Sequence, residues 1–214
     1  MAQALLNDLH VENNDICAIF SESSIQFGVT LSACLLLGIK FTPVTPVNGP
    51  FELSQQLEDT GAKILFVDED RVAVVEKMFQ NPKNQAMFDN IRVVVMDDNN
   101  NIEYKPPFYT LDKLTLSYRK TSQQFTTIPY FANSLDSTLL IYYTSGSTGK
   151  PKGACHTHRS IMSNLIQFGR APSMQEYKDL TMMLAFPFGH VSGTILMLTS
   201  MLQRTTTVII NYND

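Results

Sequence analysis

The chain has 214 residues, 44% of them hydrophobic and 17% charged, a composition that supports a packed core and excludes an intrinsically disordered segment. Its formal net charge of −4 comes from acidic and basic residues scattered along the chain, which leaves no basic stripe to neutralise a nucleic-acid backbone. Cys17, Cys34 and Cys155 share no CxxC or Cys/His spacing, so neither a disulfide framework nor a zinc site is signalled, and a reducing, intracellular compartment is expected.

The first residues, MAQALLNDLHVENNDICAIF, lack a basic region followed by an apolar one, which argues against a secretory signal. The most apolar stretch, Val29 to Ile39, is shorter than the roughly 20 residues that span a bilayer, so a soluble chain without a transmembrane segment is expected. Asp15 to Phe20 reads as a strand. Ser23 with Gln26 forms a candidate capping box for a helix that runs to Leu37 before Gly38; it is apolar nearly all round and predicted buried. Phe41 to Val47 is extended, with Pro43 and Pro46 excluding a helix, and a second helix starts near Pro50 and stops at Gly61. Lys63 to Val67 predicts a strand, Arg71 to Gln80 a helix, Ile91 to Met96 a strand and Asp97 to Asn101 a polar turn.

This alternation predicts an α/β fold, an open and mostly parallel sheet flanked by helices, with residues 1–101 as a Rossmann-like subdomain. Residues 102–137 show no clean period and read as a connecting excursion. Residues 138–214 read as a second α/β segment. Thr138 to Tyr143 is strand-like, and Thr157 or Ser160 can cap a helix with Ile161, Met162, Leu165 and Ile166 on one face. Leu180 to Phe186 and Thr206 to Ile210 are further strand candidates, separated by the apolar stretch Val191 to Leu202.

The informative segment is Tyr143 to Gly153, YTSGSTGKPKG, directly after a predicted strand. Gly146 and Gly149 allow positive φ and close approach to an anion, so consecutive amides can form a nest. Tyr143, Thr144, Ser145, Ser147 and Thr148 add hydroxyls, and Lys150 and Lys152 supply positive charge for a departing phosphate group. Composition alone would equally describe a flexible Gly/Ser turn. A Walker A loop is excluded on spacing, because only two residues separate Gly146 from Gly149 and Pro151 follows Lys150.

TSGSTGKPKG resembles the signature of the adenylate-forming superfamily, which includes acyl-CoA synthetases, 4-coumarate-CoA ligases and luciferases. AFPFGHVSG, Ala185 to Gly193, is similar to that family's Pro-x-x-His-x-x-Gly segment, and Asp136 precedes the strand as it does there. NDICAIF, SIQFGVTLSACLLLGIKFTPVTP and ELSQQLEDTGAKILFV also follow the family's order, so the resemblance covers almost the whole chain and implies part of its large N-terminal domain.

The resemblance implies ATP-dependent activation of a carboxylic acid, fatty or aromatic, to an acyl-adenylate, followed by transfer to coenzyme A. Thr144, Ser145, Gly146, Ser147, Thr148, Gly149 and Lys152 would hold the phosphates, and Thr148 would help place Mg²⁺. Lys152 and His190 would be the catalytic pair, His190 lining the acid pocket; Lys150 ranks below Lys152 because the family is permissive there. His156 and His158 read as a helix-start pair whose i, i+2 spacing shares no helical face, which argues against a metal site. The family's downstream Tyr-Gly-x-Thr-Glu motif, hinge and C-terminal lysine domain do not occur within these residues. A partial chain, inactive by itself, is therefore expected. The alternative is a non-catalytic nucleotide-binding or interaction remnant.

Overall fold

Short runs of β-branched and aromatic residues align side by side, and the helices between them cover both sides. The computed structural model describes residues 1–96, 104–120, 130–131, 134–144, 151–170 and 181–210. In chain order the elements are α1 (Ala2–Asn7), β1 (Ile16–Phe20), α2 (Ile25–Leu37), β2 (Lys40–Val44), α3 (Pro50–Thr60), β3 (Ile64–Val67), α4 (Val72–Phe79), α5 (Gln85–Phe88) and β4 (Arg92–Val95). They continue with β5 (Phe108–Thr110), α6 (Leu111–Lys120), β6 (Thr138–Thr144), β7 (Lys152–Thr157), α7 (His158–Gly169), β8 (Met182–Leu184), α8 (Val191–Gln203) and β9 (Thr207–Ile209).

Seven strands form one sheet in the order β5-β4-β3-β1-β2-β6-β7, and β8 and β9 form a separate parallel pair. All neighbours in the large sheet are parallel except β6 and β7. This is the mostly parallel α/β architecture that the alternation of elements predicts. The carboxyl ends of β1 to β6 therefore share one edge of the sheet.

Alternate strand residues enter opposite layers. Cys17, Ile19, Phe41, Phe66, Leu140 and Tyr142 pack with Phe27 and Leu31 of α2, Ile161 of α7 and Met197 of α8. On the other face Ala18, Phe20, Leu65, Val67 and Val93 pack with Leu53 and Leu57 of α3 and Val75 and Met78 of α4. Phe27 of α2 joins β2 to the turn before α8: its ring meets Phe41 edge-on at 5.9 Å and Phe188 at 5.6 Å.

The loops after β1 and β3 run in opposite directions, which opens a crevice between those strands. Protein side chains fill it. Arg71 donates to Glu22 at 2.5 Å, to Asp68 at 3.5 Å and to the Pro46 carbonyl at 3.3 Å, and Asp68 accepts from the Glu22 amide at 2.8 Å.

Several local expectations are corrected. Ser24, not Ser23, caps α2, accepting from the Phe27 amide at 3.0 Å. The helix is buried on one side only: Ile25, Val29 and Leu36 face outward at 72%, 46% and 55% exposure, because only one side meets the sheet. Met162 and Ile166 are likewise exposed on α7, while Ile161 and Leu165 are buried. Within 102–137 the structure supplies β5, an edge strand of three residues, and α6. Lys152–Thr157 forms β7, which removes His156 from the helix start. KGACHT carries no apolar alternation because an edge strand of a hairpin buries little. The predicted turn at Asp97 to Asn101 lies outside the described residues. Among the described residues no helix is long and apolar enough to cross a membrane.

Phe27→Ala is expected to lower unfolding free energy by about 3–5 kcal/mol, as a buried aromatic truncation does. The urea unfolding midpoint, followed by far-UV circular dichroism, measures it.

Candidate functional site

The strand β6 ends at Thr144, and the chain returns along β7 from Lys152, so these two residues oppose each other at the base of the hairpin. Both are exposed. Ser145, Gly146, Ser147, Thr148, Gly149 and Lys150, the remainder of the predicted phosphate loop, lie outside the described residues. Thr144 closes β6 at the carboxyl edge of the parallel sheet, because β6 runs parallel to β2 through the Phe41–Leu140 register.

The two tyrosines before Thr144 point to opposite sides. Tyr143, a candidate loop hydroxyl by sequence, is committed elsewhere, donating to the Asp59 carboxylate of α3. Its ring lies over Gly153: a Cβ there would stand 3.3 Å from the Tyr143 ring and 3.1 Å from Ile141 Cγ2. Burial, with Asp59 second, pushes the Tyr143 phenol above its usual value. Tyr142 turns inward, where its hydroxyl donates to Thr194 Oγ1 at 2.5 Å, and burial likewise pushes its phenol up.

Between α3 and the hairpin lies a cleft of about 450 Å³, lined by Thr45, Asn48, Glu52, Glu58, Asp59, Tyr143 and Thr144 among others. Its three carboxylates disfavour phosphate within it, and Thr144 stands on its border.

His190 is the N-cap of α8, its Nδ1 accepting from the Ser192 amide at 3.4 Å. The apolar stretch after it is helical. The turn from Phe186 to His190 is pressed onto the sheet edge: a Cβ on Gly189 would lie 3.8 Å from the Val44 carbonyl oxygen and 3.9 Å from Pro46 Cδ. Val44 closes β2, the neighbour of β6. The His190 turn and Thr144, the last residue of β6, thus lie at the same edge on adjacent strands. A Cβ on Gly193 would fall 2.1 Å from the Pro187 carbonyl oxygen, so only glycine lets α8 start against this turn.

The other histidines are not drawn into this arrangement. His156 places its ring edge-on to Tyr142 at 5.8 Å. His158, buried at the start of α7, bonds Tyr130 through Nδ1 at 3.2 Å, and burial pushes its pKa below the usual histidine value. Asp136, before β6, forms a two-point pair with Arg159 at 2.8 and 3.1 Å. Among the described residues no group of three or more His, Cys, Asp or Glu could hold a metal ion. Sequence reasoning missed Thr194 and Asp59; neither stands in a motif, and only tertiary contact distinguishes them.

The model of the AMP-binding enzyme family matches residues 1–214. The chain belongs to the AMP-binding enzymes. Among curated relatives, 4-coumarate-CoA ligase 1 of Arabidopsis thaliana is 24% identical over 190 residues, which cover 88% of this chain and 32% of the relative. The long-chain-fatty-acid-CoA ligase of Yersinia pestis is 27% identical over 208 residues, covering 89% and 36%. The chain thus spans about a third of the length of these family members. The fold is shared with a red-emitting luciferase of Phrixothrix hirtus at a TM-score of 0.80 and 23% identity, covering 97% of this chain and 49% of that one. It is shared also with the inhibitor-bound N-terminal domain of FACL13 from Mycobacterium tuberculosis, at a TM-score of 0.77 and 22% identity, covering 98% and 47%.

Gly193→Ala is expected to unseat the Pro187–His190 turn, seen as new protease cleavage within 185–193 under conditions that leave the wild type intact. The buried Tyr142 phenol carries a pH prediction. Its folded pKa is raised, so its contribution to stability is complete below its ordinary value near 10 and is lost as pH rises beyond it. Unfolding midpoints should fall above pH about 10 and fall less steeply in Tyr142→Phe.

Proposed function

We propose that the protein to which this chain belongs activates a carboxylic acid with ATP and passes the acyl group to coenzyme A. The observation that carries this reading is that Thr144, paired with Lys152 across the TSGSTGKPKG segment, closes the strand next to the one that the His190 turn meets. In the reaction a carboxylate oxygen bonds to the α-phosphorus and the bond to the β-phosphate oxygen breaks. Pyrophosphate leaves with the electron pair, and the thiol of coenzyme A later displaces AMP.

Thr144 and Lys152, opposed at the hairpin base, supply a hydroxyl and a cation to the β and γ phosphates, together with Ser145, Gly146, Ser147, Thr148 and Gly149. The ammonium of Lys152 stabilises the charge that grows on the leaving pyrophosphate. His190, fixed by its position ahead of α8, lines the acid pocket on the neighbouring strand. The donors fit a nucleoside triphosphate: hydroxyls, a cation and a glycine-rich backbone, with Thr144 at the border between them and the acidic cleft. Mg²⁺, assigned to Thr148, would supply charge neutralisation of the phosphates. The acid is of the fatty or aromatic class, as the names of the relatives suggest, and the three free cysteines fit an intracellular setting.

A second reading is a non-catalytic nucleotide-binding remnant, since the hydroxyls and the cation of the loop would serve binding whether or not turnover follows. One experiment separates the two: ATP binding and acid-dependent pyrophosphate release by this chain and by a version extended to the relatives' length. Acid-dependent release, abolished in His190→Ala, supports the ligase. Lys152→Ala should weaken ATP binding by roughly 10- to 100-fold, the loss of a charge-assisted contact. ATP binding with no release from either form supports the remnant, and absence of both sinks both readings.

A further inference from the structure

We propose that Thr194 and Tyr142 are positioning residues, which set the His190 turn at a fixed place relative to the strand that feeds the phosphate loop. Their value to catalysis rests on the ligase reading above; the contacts themselves do not.

Thr194, on the first turn of α8, is fully buried. Its hydroxyl accepts from Tyr142 Oη at 2.5 Å and donates to the Phe188 carbonyl oxygen at 2.6 Å. The Phe188 amide in turn donates to Ser23 Oγ at 2.9 Å. The backbone of Phe188 is therefore held through both its polar groups, one from the β1–α2 loop and one from α8. The bond to α8 leads on to β6. His190 lies two residues further and is tied back to the same turn, its amide donating to the Pro187 carbonyl at 3.0 Å while its carbonyl accepts from the Thr194 amide at 3.0 Å. Tyr142 lies two residues before Thr144, on the last stretch of β6.

The connection runs through an otherwise apolar layer of Phe27, Phe41, Phe188 and Met197. A valine would fill the space of Thr194 and a phenylalanine that of Tyr142, so packing alone does not call for either hydroxyl. Burying them costs free energy unless both are bonded, and in low dielectric the satisfied chain admits one arrangement. Apolar contacts tolerate sliding by a few tenths of an ångström; a hydroxyl bonded on two sides does not. The chain of hydrogen bonds thus converts a soft contact between α8 and β6 into a fixed spacing between the His190 turn and the end of β6.

Amide hydrogen exchange and His190 imidazole NMR on the 214-residue chain test this with Tyr142→Phe, Thr194→Val and Thr194→Ser. Exchange at His190 and Thr194 should accelerate about five- to tenfold in the first two relative to amides of β3 and β4, the loss of one net hydrogen bond. Thr194→Ser should restore it. ATP should shift the imidazole resonance in the wild type and in Thr194→Ser, and less in the other two. Unchanged exchange at His190 and Thr194, acceleration equal throughout the chain, or no rescue by serine overturns the assignment. An imidazole that ignores ATP in every form, with local acceleration and serine rescue intact, upholds the positioning and retires the nucleotide reading.

Discussion

Parallel pairing of β2 with β6 brings together segments about a hundred residues apart, and the site depends on it. Phe41 aligns with Leu140, and Thr42 Oγ1 donates to the Ile141 carbonyl at 2.8 Å across the junction. Gln56 of α3 caps that contact from outside, donating to Thr42 Oγ1 at 3.0 Å and to the Pro43 carbonyl at 2.9 Å. All these groups are buried, so each would be costly if left unmade. Because the strands are parallel, their carboxyl ends fall on one edge, and the loops that carry Thr144 and the His190 turn have no other place to meet.

Around that junction polar contacts settle what apolar packing leaves free. Tyr143 ties the hairpin to α3 through Asp59, Tyr142 ties it to α8 through Thr194, and Ser23 holds Phe188 from the β1–α2 loop. Arg71 fills the crevice between β1 and β3 with its own carboxylate partners, so the position where such sheets often receive a ligand is here a structural clamp. The candidate site residues lie instead on β2 and β6, on the other side of β1.

The alternation of strands and helices was legible through residue 96 because those elements are long enough, or apolar enough, to show their period. The stop at Gly61 and the start at Pro50 were legible for local reasons, a left-handed φ of 65° and a ring that fits the first helical turn. β5 and β7 were not legible. A three-residue edge strand and the outer arm of a hairpin hold their shape through hydrogen bonds to a distant neighbour, not through a pattern of their own. Ser23 and Ser24 illustrate the same limit: either hydroxyl suits a helix cap, and the Phe188 amide claims the first.

The family was legible in the residues alone, through the ten-residue segment TSGSTGKPKG, and the α/β class through hydrophobic period. Only the tertiary structure decided which strand neighbours which, that His190 caps a helix pressed on the end of β2, and that Tyr143 serves α3 and not the loop. Local pattern records what a segment buries, whereas register, strand order and buried hydroxyl pairs are agreed between segments that meet only when the chain has folded.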